Sequence, residues 1–391
     1  MGEHLGSGPG SDKSEAASAA ALSGLAVRND LAGLDFASFS WWCRGLVGFH
    51  ERFHRALYRR LMADGVWDPA AEPVWAEAER SRPGTVAMLS AAADVRQLPL
   101  VVDERAVHDP LLGETRKLLL RFADGRDAET VLIPMGGGPE RGGHYTVCVS
   151  SQIGCKMGCT FCHTATMGLV RQLAAHEIVG QVLAVQQRTG KRPRNVVFMG
   201  MGEPLDNLDA VAQAVRVLTD VCGLAIAFDH ITVSTVGRVD GIERLPALGL
   251  DRVNLAISLS ASDDALRSRL MPVNRVYDLA RLRAALLAFP LRPGRRFLIS
   301  YVLIAGTNDA LEQAAALARW CTGLPVLVNL IPWNPIPGAC EQTSPPAQMA
   351  AFHAELRRAG VQVRQRKTKG DAVMAACGQL GDPRQRRRQV H

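Results

Sequence analysis

The sequence predicts an α/β fold: a partial (βα)6 barrel preceded by an N-terminal helical accessory domain and a small β extension. Three observations carry this. After residue 148, short β-branched runs alternate with longer helical stretches, the rhythm of parallel strands joined by right-handed helical crossovers. Between 98 and 149 the strand-like runs are separated only by turn signals, as in antiparallel pairs. Over 36–92 the apolar residues Phe49, Phe53, Leu57 and Leu61 recur at spacing four, as on one face of a helix. With 391 residues, 47% hydrophobic and 21% charged, the chain can bury a large core.

In chain order, residues 1–30 form a Gly/Ala/Ser-rich tail too poor in apolar surface to offset its ordering entropy. Its Ala-rich run follows Glu3 and Asp12 rather than a basic cluster, so it reads as tail and not as a signal peptide. Residues 31–97 form the helical domain, which holds Trp41, Trp42, Trp67 and Trp75. Residues 98–147 form the β extension, with strands expected at 98–102, 117–122, 129–133 and 145–149 and a turn at Ala123-Asp124-Gly125. The Gly-rich loop 135–143 is no phosphate cradle, because no Gly-Lys-Ser/Thr follows it.

Residues 148–380 form the barrel core, ending in a loop that carries Cys377. Its strands are expected at 145–150, 195–199, 230–234, 252–258, 297–303 and 326–330. The intervening helices fall at 174–187, 208–218, 241–248, 263–270, 279–287 and 309–320. A helix at 347–358 and a strand at 361–365 lead out to a basic tail over 381–391. An active site in such a barrel belongs at the carboxyl ends of the strands.

No run approaches 18 consecutive apolar residues, so no transmembrane helix is expected and the chain reads as cytoplasmic. The net charge of +7 favours an anionic partner such as RNA. An aromatic content of 5% argues against holding it by stacking bases on several surface rings.

Nine cysteines, three of them packed between 155 and 162, suit metal or thiol chemistry in a reducing compartment better than a disulfide scaffold. The run Cys155-Lys-Met-Gly-Cys159-Thr-Phe-Cys162 offers three thiolates, and no fourth Cys or His stands at a structural-zinc spacing. His163, next to the third cysteine, would have to turn sharply to share its metal. Three thiolates suit a [4Fe–4S] cluster with one iron open to a further ligand. Ordinary buried cysteines are the bland alternative, a zinc-stabilised RNA-binding module is a second, and a radical enzyme acting on a small molecule is a third.

The Cx3CxxC spacing resembles that of the radical S-adenosylmethionine superfamily, whose fold is a full or partial βα barrel. Four further runs narrow the resemblance: Cys148-Val-Ser-Ser-Gln-Ile-Gly-Cys155, Met199-Gly-Met-Gly-Glu-Pro204, Asn329-Leu-Ile-Pro-Trp-Asn-Pro335 and Ala375-Ala-Cys-Gly-Gln-Leu380. They resemble the RlmN/Cfr family of RNA adenine methyltransferases over residues 98–380. The resemblance implies a [4Fe–4S] cluster on Cys155, Cys159 and Cys162, and S-adenosylmethionine on its open iron. It implies rRNA as substrate with tRNA as a second class, and an electron-donating reductase as partner. Adenine C2 is the favoured target and C8 the rival; both are poor nucleophiles, so a radical route is required.

By the same resemblance Cys377 carries the methyl group as S-methylcysteine. Cys148 takes the proton from the modified carbon and closes a transient disulfide with Cys377. Glu129 falls where the family has a proton acceptor, although a surface carboxylate in the β extension is the bland reading. Gly202 and Glu203 match the turn that meets the cofactor's amino group; a Glu favoured at a helix N-terminus is their alternative. Ser234 and Ser258 stand at strand ends where hydroxyls reach the ribose or carboxylate, and Asn334 matches an adenosine contact. Family members read Ser-Leu-His where this chain has Ser258-Leu259-Ser260, so an imidazole is replaced by a hydroxyl.

Arg292, Arg295, Arg296, Arg357, Arg358, Arg364, Arg366, Lys367, Lys369 and Arg384 to Arg388 gather in the last hundred residues and form the expected phosphate footprint. Cys43, Cys222, Cys321 and Cys340 match no motif and read as core or incidental thiols.

Overall fold

The computed structural model describes residues 30–93, 98–110, 113–136, 143–366 and 370–387. The tail 1–30, apart from Asp30, lies outside these residues. So do 137–142 of the Gly-rich loop and Lys367, Lys369 and Arg388 of the basic footprint.

Four helices open the fold: α1 (Phe36–Val47), α2 (Glu51–Asp64), α3 (Pro73–Ser81) and α4 (Thr85–Ala91). The Asp35 carboxylate caps α1 by accepting from Ser38 N, and Gly65 ends α2 in the left-handed conformation that a side chain disfavours. Phe53, Leu57 and Leu61 of the spacing-four stripe are buried, and Phe49 meets Trp75 edge-on at 5.6 Å. Buried Trp67 and Trp75 donate their indole N–H groups to Leu89 O and Phe53 O. The bundle is joined to the rest of the fold: Phe36 N donates to the Asp220 carboxylate at 2.6 Å, and one apolar cluster runs from Leu31 to Leu380.

The next strands are β1 (Leu100–Asp109), β2 (Gly113–Arg121), β3 (Asp127–Met135) and β4 (His144–Cys148). The expected runs in the β extension are shorter because β1 is largely exposed and carries Asp103, Glu104 and Arg105, which hide it from a hydrophobic pattern. Charge pairs hold it instead: Glu104 bridges Arg116 of β2 and Arg188. The extension is also no separate sheet. β3 pairs antiparallel with β4, Val131 opposite Cys148, so one sheet runs from the extension into the barrel.

Past β4 comes a hairpin the sequence pattern does not show, β5 (Gln152–Cys155) and β6 (Gly168–Gln172), with α5 (His163–Thr166) between its strands. The barrel continues through β7 (Asn195–Phe198), β8 (Ile231–Thr235), β9 (Asn254–Ser258), β10 (Phe297–Leu303) and β11 (Val326–Pro332). All five lie parallel, with β4 before them. The expected strand 361–365 is not a lead-out: as β12 (Val363–Gln365) it pairs parallel with β11 and adds a seventh parallel strand. The sheet order is β1-β2-β3-β4-β7-β8-β9-β10-β11-β12, so among the described residues β12 does not pair with β4 and the barrel stays open on that side.

The covering helices are α6 (Ala175–Thr189), α7 (Leu208–Thr219), α8 (Val239–Arg244), α9 (Asp264–Leu270), α10 (Leu279–Ala288), α11 (Leu311–Cys321) and α12 (Pro346–Arg358). The helix expected over 241–248 divides at Pro246, which starts a separate 3-10 turn. Among the described residues no helix is long and apolar enough to cross a membrane.

Candidate active site

The three-cysteine loop leaves the end of β5 and returns through α5, whose N-cap is Cys162. Thr160 N donates to Leu270 O at 3.0 Å, and Trp333 Nε1 donates to Phe161 O at 3.3 Å, so the loop is seated between the tops of α9 and β11. Cys159 and Cys162 face a cavity of about 1010 Å³ at the carboxyl ends of the strands. Cys155 is buried beside Met157, Met271 and Trp333.

The donor set fits an iron–sulfur cluster better than zinc. Among the described residues no three His, Cys, Asp or Glu side chains converge on a single ion position. A structural zinc needs such convergence, whereas a cluster takes each thiolate on a different iron. His163 does not join the three thiols; it lines a different cavity with Lys117 and Glu129. Burial pushes the Cys155 thiol up to about 12 and raises Cys159 and Cys162 as well, a penalty that metal coordination offsets by holding the thiolate.

A buried cation lies beside this region. Arg267 is fully buried and has no carboxylate within ion-pair distance among the described residues. It donates to the carbonyls of Leu259, Val236 and Ser258 and to Asn274 Oδ1, tying the ends of β8 and β9 to α9. Burial lowers its pKa to about 10, and the Cys159 thiolate opposes that shift. Sequence reasoning missed Arg267, because nothing in the Arg-Ser-Arg of α9 marks which arginine points inward.

The Met199–Pro204 turn forms the next wall. Gly202 has φ +101, and a Cβ there would stand 2.6 Å from Gln152 Cβ, so only glycine lets the turn lie against β5. Glu203 is buried, and burial raises its pKa to about 7 although Val236 N, Leu205 N and Thr235 donate to it. A carboxylate so placed gains from a cation in the cavity it lines, and the α-ammonium of S-adenosylmethionine is of that kind. It also caps the 3-10 turn Pro204–Asn207, so the capping alternative holds at the same time.

Ser234 and Ser258 line this cavity at the ends of β8 and β9, and Ser300 of β10 joins them. Ser260 lines it too, in left-handed backbone (φ 51), with Oγ accepting from Val302 N at 3.4 Å. Leu259, expected at the cofactor, is fully buried in the apolar core and its side chain does not line the cavity: alternation along the chain turns it away from its two serine neighbours. Asn334 lines the cavity, but its Nδ2 donates to Cys377 O at 3.0 Å, so it also holds the C-terminal loop.

That loop crosses the open side of the barrel. Gly378 O accepts from His163 N, Leu380 O accepts from Thr164 Oγ1, and Gln379 Nε2 donates to Pro335 O. Cys377 thereby joins the walls of the main cavity and of a smaller one beside it, about 510 Å³, that Cys148 also lines. Arg366 lines both as well, and its Nη1 lies 3.4 Å from Cys377 Sγ. All nine cysteines are free thiols, so the disulfide expected between Cys148 and Cys377 is not formed in this state.

Glu129 is neither a surface carboxylate nor in either of these cavities. Its side chain is 12% exposed, pairs with Lys117 at 2.9 Å and accepts from Gly381 N at 2.8 Å. It anchors the C-terminal loop from the extension's side of the sheet.

Comparison with known proteins places this geometry. Residues 149–318 match the Radical SAM superfamily, so the fold and its three-cysteine site define a radical S-adenosylmethionine enzyme, working with a [4Fe–4S] cluster and S-adenosylmethionine. A solved radical SAM methyltransferase from Sphaerobacter thermophilus superposes with a TM-score of 0.77 at 37% identity, covering 89% of this chain and 98% of that one. A dual-specificity RNA methyltransferase RlmN of Sorangium cellulosum is 41% identical over 373 residues, 87% of this chain and 92% of the relative. A probable dual-specificity RNA methyltransferase RlmN of Protochlamydia amoebophila is 44% identical over 270 residues, 69% and 74% of the two chains. The chain belongs to the RlmN family of radical S-adenosylmethionine RNA methyltransferases.

Proposed function

We propose that this enzyme methylates adenine C2 of rRNA and of tRNA through an S-methylcysteine intermediate on Cys377. The observation that carries the reading is the shared cavity of Cys377 and Cys148, next to the three-cysteine loop. Relatives named as dual-specificity RNA methyltransferases support two classes of RNA.

When bound, the cluster and S-adenosylmethionine supply a 5′-deoxyadenosyl radical. Cys155, Cys159 and Cys162 hold the cluster, and Glu203 and the strand-end serines orient the cofactor. As thiolate, Cys377 attacks the sulfonium methyl and keeps it as a thioether. After loss of one hydrogen atom, the methylene on Cys377 adds to the adenine carbon. One electron of the adduct would pass to the cluster, Cys148 accepts the proton from that carbon and passes it on, and the Cys148 thiolate then attacks the Cys377 sulfur, forming the S–S bond and breaking the bond from that sulfur to the methylene, whose carbon keeps the electron pair and takes up a proton to become the methyl product. The Cys148–Cys377 disulfide left behind requires a thiol reductant, and each cycle requires an electron-donating reductase, conditions that the cytoplasm provides.

Nucleoside mass spectrometry of rRNA and tRNA incubated with reduced enzyme and S-adenosylmethionine tests the reading. It expects 2-methyladenosine in both; 8-methyladenosine would move the reaction to the other carbon, and unmodified RNA would remove it.

A further inference from the structure

The barrel is not filled below its catalytic end. In closed βα barrels the interior holds layers of branched apolar side chains, whereas here the amino-terminal half borders an open cavity of about 1320 Å³, counted with the solvent at its mouth. Its walls include Thr146, Asn195, Thr232, Asn254 and Asn329, one polar residue from each of five parallel strands, together with Arg364 and Arg366. It shares Met199, Ser300 and Arg366 with the cofactor cavity, and Ile133, Val197, Met199 and Arg366 with the Cys148–Cys377 cavity. Three adjoining cavities therefore lie between the amino-terminal part of the sheet and the two cysteines.

The two ends of that space differ. Residues 374–381 close the carboxyl end, bonded to the cluster loop, to Pro335 and Asn334 after β11, and to Lys117 and Glu129. Toward the other end the wall carries Arg364, and Arg366 stands between it and Cys377. Among the arginines expected to hold RNA, Arg292, Arg295, Arg358 and Arg384 pair with Asp251, Asp229, Glu355 and Asp382. Arg364 and Arg366 have no carboxylate partner among the described residues: Arg364 donates Nε to Asn329 Oδ1, and Arg366 donates to Cys377 Sγ. They oppose each other electrostatically in the same cavity. Asp229 also lines this space but pairs with Arg295, which leaves the two guanidinium groups to provide the fork geometry that a phosphodiester satisfies.

We propose that the target nucleotide enters from the amino-terminal face of the parallel sheet, passes through this cavity to Cys377, and has its phosphate held by Arg364 and Arg366. This rests on the RNA methylation proposed above. An extruded base fits such a route, because a cavity inside a barrel is too narrow for a duplex.

Filter binding of a synthetic RNA stem-loop with adenosines in its loop tests the route. Arg364→Gln should bind about tenfold more weakly and lose about 0.7 from its log–log salt slope, while Arg319→Gln, exposed in the last turn of α11 and outside the expected footprint, should match the wild type. Arg364→Lys should restore part of the affinity. In Thr232→Cys, the stem-loop should protect the new thiol from N-ethylmaleimide in peptide-resolved mass spectrometry. Methyl loading of Cys377 from S-adenosylmethionine needs no RNA and checks each variant's cofactor site. If the wild type loads no methyl, the reaction proposed above falls, while binding and protection still decide the route. Equal effects of Arg364→Gln and Arg319→Gln, or unprotected Thr232→Cys, would overturn it. Loss of loading and affinity in both Arg364 variants would assign Arg364 to the fold and overturn it too.

Discussion

Cys148 at the end of β4 and Cys377 in the C-terminal loop, 229 positions apart in sequence, line one cavity of about 510 Å³, with Arg366 on its wall. The C-terminal loop brings the pair together: Asn334 holds the Cys377 carbonyl, and Gly378 O accepts the amide of His163 directly after the cluster loop. The distinct positions of the two thiols lead to different behaviour on substitution.

Cys377→Ala should keep its cluster yet carry no methyl group and make no product. Cys148→Ala should load the methyl, attack the base and stall with RNA covalently attached, since no thiol remains to take the proton and release the product. A denaturing gel after turnover should show a nuclease-sensitive slow band in Cys148→Ala alone. The band in Cys377→Ala would reverse the roles.

Replacing Cys155, Cys159 or Cys162 with Ala should remove most of the iron and all cleavage of S-adenosylmethionine, read by iron analysis and by release of 5′-deoxyadenosine. Retention of iron by the triple variant would place the cluster elsewhere.

Glu203, raised to about 7 by burial, should make cofactor binding pH-dependent. Its pKa in the fold lies above the unfolded value, so the empty protein holds the proton until pH approaches 7, and the stability this gives is lost as pH rises from the unfolded carboxylate value to about 7 and is level above it. An ammonium partner requires the ionised form. Affinity for S-adenosylmethionine should therefore rise with pH up to about tenfold per unit below 7 and level off above. Equilibrium dialysis across pH 5 to 8 measures it, at about those limits; an equally steep profile in Glu203→Gln would assign the titration to another group.

Arg267→Gln should lower the stability of the cluster-free protein by about 3 kcal/mol, because several buried carbonyls lose their donor. Urea denaturation reads this, and a change below about 1 kcal/mol would show that water replaces the guanidinium.

Much of this was legible in the chain. The Cx3CxxC run, the Met-Gly-Met-Gly-Glu-Pro turn and the alternation of strands with helices are local patterns, set by metal-ligand spacing, backbone freedom at glycine and the period of side-chain burial. They marked the cysteine loop, Gly202, Glu203 and the six core strands. Two kinds of feature were not local. Which way a side chain points depends on the strand that receives it, so Leu259 and Ser260, adjacent in sequence, part into core and cavity. Whether a charge is available depends on what lies opposite, so of one arginine cluster Arg295 and Arg358 are neutralised by acids while Arg364 and Arg366 are left facing a cavity. The burial of Glu129 against Lys117, the clamp of Arg267 and the meeting of Cys148 with Cys377 belong to the same kind. Desolvation and Coulomb interaction act through space, and only the tertiary structure sets those distances.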